Sequence, residues 1–359
     1  MSDAAITEAQ VLDALRSVMD PDLHRDIVSL NFIRNMKIEG RIVSFDVNLT
    51  TPACPVKDLL RNEARQAVTD RVPGVKEVRV NMTAEVRRPR PPETSRIKGV
   101  KNIIAVGSGK GGVGKSTVAT NLAVSLAQSG ASVGLLDADI YGPSIPIMMR
   151  AIGEPELKDD AIEPVIAHGV KLMSMGYLSG DQPLIWRGPM AHKALQQCLL
   201  GVNWGALDYL VVDLPPGTGD VHLTLVQTVP VTGAVIVSTP QDVGLQISMK
   251  TLQMFQQTKV PLFGIVENMS YYVCPHCGGR DEIFGHGGAA LASEALRVPF
   301  LGEVPLDKAI RVSADSGTPV VLTEPDSPSG KAFREVAGKL ARQISIQSFR
   351  QIPLTIIEE

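Results

Sequence analysis

Cysteine is scarce in this sequence, and long apolar runs are missing. The four cysteines, Cys54, Cys198, Cys274 and Cys277, are too few and too unevenly spaced for a disulfide scaffold. The opening residues MSDAAITEAQ lack the basic region and apolar run of a secretion signal. No apolar stretch reaches the ~20 residues that span a bilayer. We therefore expect a cytoplasmic protein with free thiols that does not act at a membrane.

An excess of charge of one sign is also lacking. The 35 basic and 38 acidic side chains leave a formal net charge of -3, which gives no reason to expect nucleic acid or an anionic membrane surface as a partner. A chain of 359 residues that is 44% hydrophobic can bury a large core, and it favours two domains over one.

Residues 1–84 are typical of a small α+β domain. Thr7 and Gln10 form a capping-box pattern ahead of apolar residues at helical spacing, and RIVSFDVNL alternates as a half-buried strand does. The predicted order is helix, two strands, helix, strand. The basic, proline-rich residues 85–99 indicate a semi-rigid linker, with contact to nucleic acid as the alternative.

Residues 100–345 change to short continuous apolar runs that alternate with helical patterns. Among these runs are NIIAVGS, SVGLLDAD, DYLVVDLPP, GAVIVST and PLFGIVENM. Continuous apolar strands are buried on both faces, as in a parallel sheet covered by helices. We predict an α/β domain with a doubly wound, mainly parallel sheet, followed by a C-terminal tail at 346–359.

The segment NIIAVGSGKGGVGKST predicts a strand, a glycine-rich loop and the start of a helix. Gly109 to Ser116 match the phosphate-loop pattern G-x-x-x-x-G-K-[ST], in which glycines let backbone N–H groups surround phosphates at a helix N-terminus. Lys115 would reach the β- and γ-phosphates and Ser116 would bind Mg²⁺, so ATP and Mg²⁺ are the expected cofactors. The predicted nucleotide-binding residues are Gly109, Lys110, Gly111, Gly112, Val113, Gly114, Lys115, Ser116 and Thr117.

The same loop also contains the dinucleotide pattern G-x-G-x-x-G. It is formed by Gly107, Gly109 and Gly112, with Asp137 further along the chain. That pattern has no role for the Lys-Ser pair that follows Gly114. The loop therefore favours a nucleoside triphosphate over a nicotinamide cofactor.

Acidic residues follow two of the predicted strands. Asp137 and Asp139 come after SVGLL, at the edge where ligands bind in doubly wound sheets. Asp213 follows the apolar run DYLVV. A Walker B carboxylate, which holds Mg²⁺ through water, occupies the same position at the end of a strand. Gly217 lies in the next loop, where it could sense the γ-phosphate. For Asp137 the alternative is a structural carboxylate that caps a helix.

Cys274 and Cys277 form a C-x-x-C pair in CPHCGGRDEIFG, after a predicted strand. Two thiolates at this spacing can bind one metal. The alternatives are a redox disulfide or idle thiols, although a thioredoxin-like pair belongs at a helix N-terminus. A closed site needs two more ligands, and within the chain His286 remains possible, since Cys54 and Cys198 are distant in sequence.

The other two cysteines, Cys54 and Cys198, lie far from this pair in the sequence. Cys54 precedes the predicted second helix, whose N-terminus would lower the pKa of a thiol. It is either a core residue or a reactive or accessory cluster ligand. Cys198 lies in the helical run ALQQCLL, and we expect it in the core.

The loop KGGVGKST resembles the deviant Walker A motif of the family that contains nitrogenase iron protein, the MinD and ParA ATPases and the arsenical pump ATPase. In that family the additional lysine, here Lys110, reaches across a dimer interface to the partner's nucleotide and supplies charge to the transition state. The resemblance implies a homodimer; the alternative is a solvated lysine. Two copies about a two-fold axis would join Cys274 and Cys277 to their counterparts, and four thiolates suit a [4Fe–4S] cluster or tetrahedral zinc.

Further segments resemble the Mrp/NBP35 (ApbC) family of iron–sulfur cluster carriers throughout residues 100 to about 345. These are SGKGGVGKST, DADIYGPS, WRGPM, DLPPGTGD, ENMSYYVCPHC and IFG. Residues 1–84 resemble the MIP18 (DUF59) domain through DPDLHRDIVSLNFI and TTPACPVKD. By resemblance, Asp139 would activate the attacking water, Asn268 would contact the adenine, and Pro305 would line the base pocket.

The resemblance also implies slow ATP hydrolysis, catalysed with Lys110, Lys115 and Asp139, and exchange of clusters with scaffold proteins and apo iron–sulfur proteins. We therefore hypothesise an ATP-dependent carrier of a [4Fe–4S] cluster. One alternative is a MinD- or ParA-like positioning ATPase, which would not explain the C-x-x-C pair; moreover, QIPLTIIEE lacks the basic amphipathic helix of MinD-like proteins. The other is an NTPase with a structural zinc site, which the sequence does not separate from a carrier.

Overall fold

The structure, a computed structural model, divides into two compact units. The first unit combines residues 1–87 with residues 341–359, and the second comprises residues 88–340. Each unit has a hydrophobic core of its own. The residues that the structure describes are 6–86, 97–151, 153–179 and 188–350.

Three features expected from the sequence fall on segments that are only partly described. Within the expected linker 85–99, residues 87–96 lie outside the described residues, and so do the first two residues of WRGPM. The expected tail 346–359 begins inside a helix that continues to Arg350. The rest of that tail lies outside the described residues.

The first unit has the predicted α+β order, with two additional short strands. Its elements are α1 (Glu8–Leu15), β1 (Met19–Asp20), β2 (Arg25–Asp26), β3 (Ile33–Glu39), β4 (Ile42–Leu49), α2 (Lys57–Arg71) and β5 (Glu77–Ala84). Helix α1 begins with the predicted capping box, because the side chains of Thr7 and Gln10 each accept the other's backbone N–H. Strand β4 lies between antiparallel β3 and parallel β5.

The second unit contains the remaining elements, and its last helix continues into residues of the first unit. They are β6 (Val100–Ser108), α3 (Lys115–Gln128), β7 (Val133–Asp137), α4 (Ile145–Met148), β8 (Glu156–Lys158), β9 (Ala161–Glu163), β10 (Val165–Ala167), β11 (Val170–Ser174), α5 (Met175–Ser179), α6 (Gly188–Leu200), β12 (Leu207–Asp213), α7 (Asp220–Thr228), β13 (Gly233–Ser238), α8 (Asp242–Gln257), β14 (Leu262–Val273), β15 (Arg280–Asp281), α9 (Gly288–Leu296), β16 (Phe300–Leu306), α10 (Lys308–Ser316), α11 (Val320–Thr323) and α12 (Pro328–Arg350).

A nine-stranded, mainly parallel sheet organises the second unit. Its order is β10-β11-β7-β12-β6-β13-β14-β15, with β16 also paired to β14. Within this sheet, only β10 and β15, which end this order, pair in the antiparallel sense among the strands that the structure describes. Every residue of β7 and β13 is buried, which confirms the prediction from continuous apolar runs. Strands β8 and β9 form a separate hairpin.

The register of the sheet determines where the polar strand ends meet. Asp213 at the end of β12 is the register partner of Asp137 at the end of β7 and of Val106 in β6. The loop after β6 therefore lies next to both carboxylates. Because carboxyl ends of parallel strands share one edge of a sheet, this edge carries the candidate site.

The core around the sheet is built from large apolar side chains. Trp204, Tyr209 and Phe255 are at most 1% exposed, and the indole N–H of Trp204 donates to the carbonyl of Cys198 at 3.2 Å. Cys198 itself is fully buried, which confirms that it is a core residue. None of the described helices combines the length and apolar character of a bilayer span.

Candidate nucleotide site and cysteine pair

The phosphate loop connects the buried strand β6 to helix α3. Gly112 and Gly114 have φ angles of 79° and 77°, in the left-handed region that glycine adopts without a steric penalty. Gly114 is also the N-cap residue of α3, so backbone N–H groups at a helix N-terminus face the loop. A cavity of about 200 Å³ is lined by Ser108, Lys110, Gly111, Gly112, Val113, Gly114, Lys115, Ser116, Thr117, Asp139, Ser144, Met148 and Pro216.

Lys115, Ser116 and Asp213 form one hydrogen-bonded group behind the loop. The ammonium of Lys115 lies 2.6 Å from one carboxylate oxygen of Asp213, and the hydroxyl of Ser116 donates to the other at 2.6 Å. Asp213 is fully buried and Lys115 is 6% exposed. Burial raises the pKa of Asp213, while the charge of Lys115 and both hydrogen bonds oppose that rise. The lysine therefore provides much of the stabilisation of a charge that the fold takes out of water.

Asp137 and Asp139 have different surroundings. Buried Asp137 accepts the backbone N–H of Ile145, the first residue of α4, at 3.1 Å and the hydroxyl of Ser174 at 3.3 Å. Burial first, and the neighbouring Asp213 second, raise the pKa of Asp137 to about 7. Asp137 thus has the contacts of a helix-capping carboxylate.

Asp139 instead lines the cavity. One of its oxygens accepts the backbone N–H groups of Tyr141 at 3.1 Å and Gly142 at 3.3 Å. These bonds orient the carboxylate beside the phosphate loop.

Lys110 and Gly217 also lie at this edge of the sheet. The ammonium of Lys110 donates to the side-chain oxygen of Gln241 at 3.0 Å, within its own chain. The backbone N–H of Gly217 donates to the carbonyl of Ser108, the last residue of β6, at 2.9 Å. The loop after β12 is therefore attached to the strand that precedes the phosphate loop.

Asn268 on strand β14 contacts the phosphate loop directly. The residue is 5% exposed, and its side-chain amide donates to the carbonyl of Val113 at 2.8 Å. A Cβ at Gly114 would lie only 2.2 Å from the same amide nitrogen, so a larger residue there would displace the Asn268 amide. Pro305 is buried in β16, which pairs with β14. Both predicted base-pocket residues thus lie on neighbouring strands.

Cys274 and Cys277 lie in a tight turn that follows the last residue of β14. The N–H of Cys274 donates to the carbonyl of Gly279 at 2.9 Å, and the N–H of Gly278 donates to the carbonyl of Cys274 at 2.8 Å. Cys274 is partly exposed and Cys277 is exposed. Backbone N–H groups of His276 and Cys277 donate to the sulfur of Cys274 and lower its pKa. The turn therefore presents two accessible sulfurs, one of them favoured as a thiolate.

No third ligand from the described residues joins this cysteine pair. The only group of three candidate metal ligands in the described part of the chain is Glu267, His286 and Glu303. The ring of His286 lies 3.6 Å from the carboxylate of Glu303 and 3.2 Å from the guanidinium of Arg280. His286, the ligand left possible by the sequence, therefore has other partners.

The pKa of the Cys54 thiol is not lowered, although the residue precedes helix α2. It is partly buried, and burial raises its pKa to about 11, with Asp20 and Asp22 adding to the rise and Arg342 opposing it. Helix α2 begins at Lys57. The helix-based expectation of a lowered pKa is wrong because desolvation of the thiolate outweighs any effect of the helix end.

Four residues that line the cavity, Ser108, Ser144, Met148 and Pro216, were not predicted from the sequence. Ser144 and Pro216 belong to DADIYGPS and DLPPGTGD, the segments that contain the predicted aspartates. His222 follows the second segment on α7 and is fully buried, and neither ring nitrogen has a hydrogen-bond partner among the described residues. The sequence marks His222 only as a histidine two residues after the DLPPGTGD loop.

Two family models match the chain. The model described as NUBPL iron-transfer P-loop NTPase matches residues 99–341, and the model described as iron-sulfur cluster assembly protein matches residues 8–82. The first match covers the phosphate loop, the acidic strand ends and the cysteine pair. The second lies within the first unit.

Curated relatives resemble the chain over most of its length. An iron-sulfur cluster carrier protein of Synechocystis sp. is 50% identical over 349 residues, which are 95% of this chain and 99% of the relative. A protein of the same description from Deinococcus radiodurans is 50% identical over 96% of this chain and 97% of the relative. The iron-sulfur cluster transfer protein NUBPL of Dictyostelium discoideum is 49% identical over 70% of this chain and 79% of its own length.

Solved structures match about two thirds of the chain. The nucleotide-binding protein of Archaeoglobus fulgidus in complex with ADP is 42% identical, with a TM-score of 0.56 over 62% of this chain and 88% of its own. The cell division ATPase MinD of Pyrococcus furiosus is 24% identical, with a TM-score of 0.52 over 66% of this chain and 97% of its own. The second likeness concerns the fold alone. The predicted P-loop α/β class is confirmed.

Proposed function

Because the chain belongs to the family of NUBPL iron-transfer P-loop NTPases, we propose that it is an iron–sulfur cluster carrier powered by ATP. In this proposal two copies hold a [4Fe–4S] cluster between them, hydrolyse ATP slowly and pass the cluster to apo-proteins. The carrier acts in the cytoplasm, where thiols such as these stay reduced.

The observation that carries the proposal is the isolation of the cysteine pair. Cys274 and Cys277 present accessible sulfurs on a surface turn, and the described part of the chain supplies no third ligand beside them. An iron–sulfur cluster needs about four protein ligands. A second copy about a two-fold axis supplies the missing two, since its own pair occupies the equivalent place.

The phosphate-loop residues fit a magnesium nucleotide. The hydroxyl oxygen of Ser116 and the carboxylate of Asp213 lie 2.6 Å apart, and such oxygens are the ligands that Mg²⁺ accepts. When bound, Mg²⁺ offsets charge on the β- and γ-phosphates. Lys115 is held beside them by its bond to Asp213, from which it reaches toward the phosphates.

Asp139 and Lys110 complete the proposed hydrolytic site. Asp139, which lines the cavity and whose carboxylate is held by the N–H of Tyr141, orients the attacking water. Lys110 leaves Gln241 in the dimer and donates to the partner subunit's nucleotide, which stabilises charge that develops in the transition state. Both side chains line the cavity at the phosphate loop.

Cluster transfer to an apo-enzyme tests the proposal. The reconstituted protein is mixed, under a chelator that removes free iron, with an apo-enzyme whose activity requires a [4Fe–4S] cluster. We expect the parent to restore that activity, and a Cys274→Ala/Cys277→Ala variant to restore none while it still binds ADP. A Cys54→Ala variant is the matched control and should behave as the parent. Equal activation by the double variant would contradict the proposal.

A further inference from the structure

Strand β14 physically connects the phosphate loop to the cysteine pair. Asn268 in this strand holds the carbonyl of Val113 at 2.8 Å, and Cys274 follows the strand's last residue, Val273. Only six positions along the chain separate the residue that touches the nucleotide loop from the first cysteine. A displacement of Asn268 can therefore reach Cys274 through only a few residues of the backbone.

The contact at the phosphate loop leaves little free space. A Cβ at Gly114 would lie 2.2 Å from the amide nitrogen of Asn268 and 3.7 Å from the terminal methyl of Met269. The side chains of Asn268 and Met269 thus pack directly against the backbone of the loop at this point. Nucleotide binding turns loop N–H groups toward phosphates, and any displacement of Val113 or Gly114 presses on Asn268.

Met269 interrupts the strand with a left-handed backbone. Its φ angle is 57°, a conformation that costs a non-glycine residue about 1–2 kcal/mol. Such residues persist where their surroundings hold them, and they concentrate at switch regions. Here the buried carboxylate of Glu267 accepts the hydroxyl of Ser270 at 2.6 Å across the same residue.

The strained residue coincides with a bulge in the sheet. Asn268 pairs with Val304 and Tyr272 pairs with Leu306, so three residues of β14 lie opposite a single residue of β16. That residue is Pro305, which has no N–H to donate to the ladder. The strand is therefore least restrained by its neighbour where it passes from the nucleotide loop to the cysteines.

Beyond the bulge, the cysteine turn is attached firmly to β14. Tyr272 and Val273 pair with the two residues of β15, Asp281 and Arg280, and the guanidinium of Arg280 lies 4.0 Å from the ring centre of Tyr271. The turn from Cys274 therefore moves together with the end of the strand.

We propose that the left-handed bulge at Met269 is the joint through which nucleotide binding at the phosphate loop changes the exposure of the cysteine pair. This inference rests on the proposed function, because it names how the nucleotide site acts on the cluster site. Met269 is a positioning residue that binds neither nucleotide nor cluster. Because glycine adopts φ of 57° freely, a glycine at this position releases the backbone constraint, whereas alanine keeps it.

Alkylation of the metal-free, full-length protein tests the proposed role of Met269. N-ethylmaleimide labelling of Cys274 and Cys277 is followed by peptide mass spectrometry with no nucleotide, with Mg-ADP and with a non-hydrolysable ATP analogue. We expect a nucleotide to change the parent's labelling rate at least about fivefold. Met269→Ala should keep that ratio. Met269→Gly should bring it close to one while the Kd for ADP stays within about twofold of the parent's.

Each other outcome is decisive. Three outcomes would contradict the proposed role of Met269. They are an unchanged labelling ratio in Met269→Gly, loss of the ratio in both variants, and a parent that binds nucleotide without any change in labelling. A parent that binds no nucleotide would instead contradict the proposed function itself, so the two failures are distinguishable. The direct nucleotide titration that separates them uses the same samples.

Discussion

Lys115 and Asp213 form a buried ion pair at the centre of the candidate site, with 2.6 Å between the ammonium nitrogen and a carboxylate oxygen. They come from elements 98 positions apart along the chain, the first turn of α3 and the end of β12. Removing one partner of a buried pair leaves the other charge without compensation. Lys115 therefore stabilises the buried charge of Asp213 and is also the cation of the phosphate loop.

Replacing Lys115 should abolish ATP hydrolysis. The Lys115→Ala variant loses the cation that we propose contacts the phosphates, and we expect kcat to fall at least ~100-fold, as for other preorganised charges at phosphoryl groups. Phosphate release over time measures the effect. Lys101→Ala is the control, because Lys101 makes a surface ion pair with Asp208 at 2.9 Å and should leave kcat unchanged. Hydrolysis at the parental rate would show that the catalytic site is elsewhere.

Lys110 should act on the nucleotide of the partner subunit. If so, Lys110→Ala and Lys115→Ala are each inactive alone, but a mixed dimer has one intact nucleotide site that receives Lys110 from the other subunit. An equal mixture should therefore recover roughly a quarter of parental hydrolysis, since half the dimers are mixed and each has one working site. A mixture as inactive as its components would show that Lys110 acts only within its own chain.

Gly114 and Gly112 allow a matched test of the contact with Asn268. Both glycines have nearly the same left-handed φ, but a Cβ would be 2.2 Å from the Asn268 amide at Gly114 and within 4 Å of no other atom at Gly112. Each change to alanine should lower the free energy of unfolding by about 1–2 kcal/mol through backbone strain. Gly114→Ala should lose about 1 kcal/mol more with the Asn268–Val113 hydrogen bond. Equal losses in nucleotide-free urea titrations would argue against that contact.

His222 should make the protein sensitive to acid. Burial, with a smaller effect from Lys115, lowers its pKa from 6.5 to about 4, so folding opposes its protonation. Above pH 6.5 this residue has no effect on the pH dependence of stability. As the pH falls from 6.5 to 4, the free energy of unfolding should decrease by about 3 kcal/mol.

His222→Leu removes the titrating group and keeps the site apolar beside Phe255, whose ring centre is 6.3 Å away. Urea unfolding at a series of pH values should show a shallower loss of stability in this variant than in the parent. His24→Asn, a change at an exposed residue, serves as the control and should follow the parent. Parallel curves for His222→Leu and the parent would refute the assignment.

The elements of the fold that the sequence predicted are those that depend on local patterns. The capping box of Thr7 and Gln10, the buried strands β7 and β13 and the glycine-rich loop all follow from residues close together in the chain. The meeting of Asp213 with the loop also follows, because parallel strands end at one edge of a sheet.

Contacts between distant segments were beyond sequence reasoning. The bond of Asn268 to Val113 spans 155 positions and that of Lys110 to Gln241 spans 131, and neither pair has a local signal. The raised pKa of Cys54 was missed because burial depends on how the whole first unit packs. The strained backbone of Met269 was missed for the same reason.

The metal and sulfide content of the reconstituted protein tests the central claim most directly. Iron, zinc, acid-labile sulfide and the native mass would be measured after anaerobic reconstitution of the parent and of the Cys274→Ala/Cys277→Ala variant. We expect about four irons and four sulfides per dimer in the parent, and none in the variant. Tightly bound zinc without sulfide would make the turn a structural zinc site, and a cluster retained by the double variant would place the ligands elsewhere; either result would contradict a cluster held between two copies by this cysteine pair.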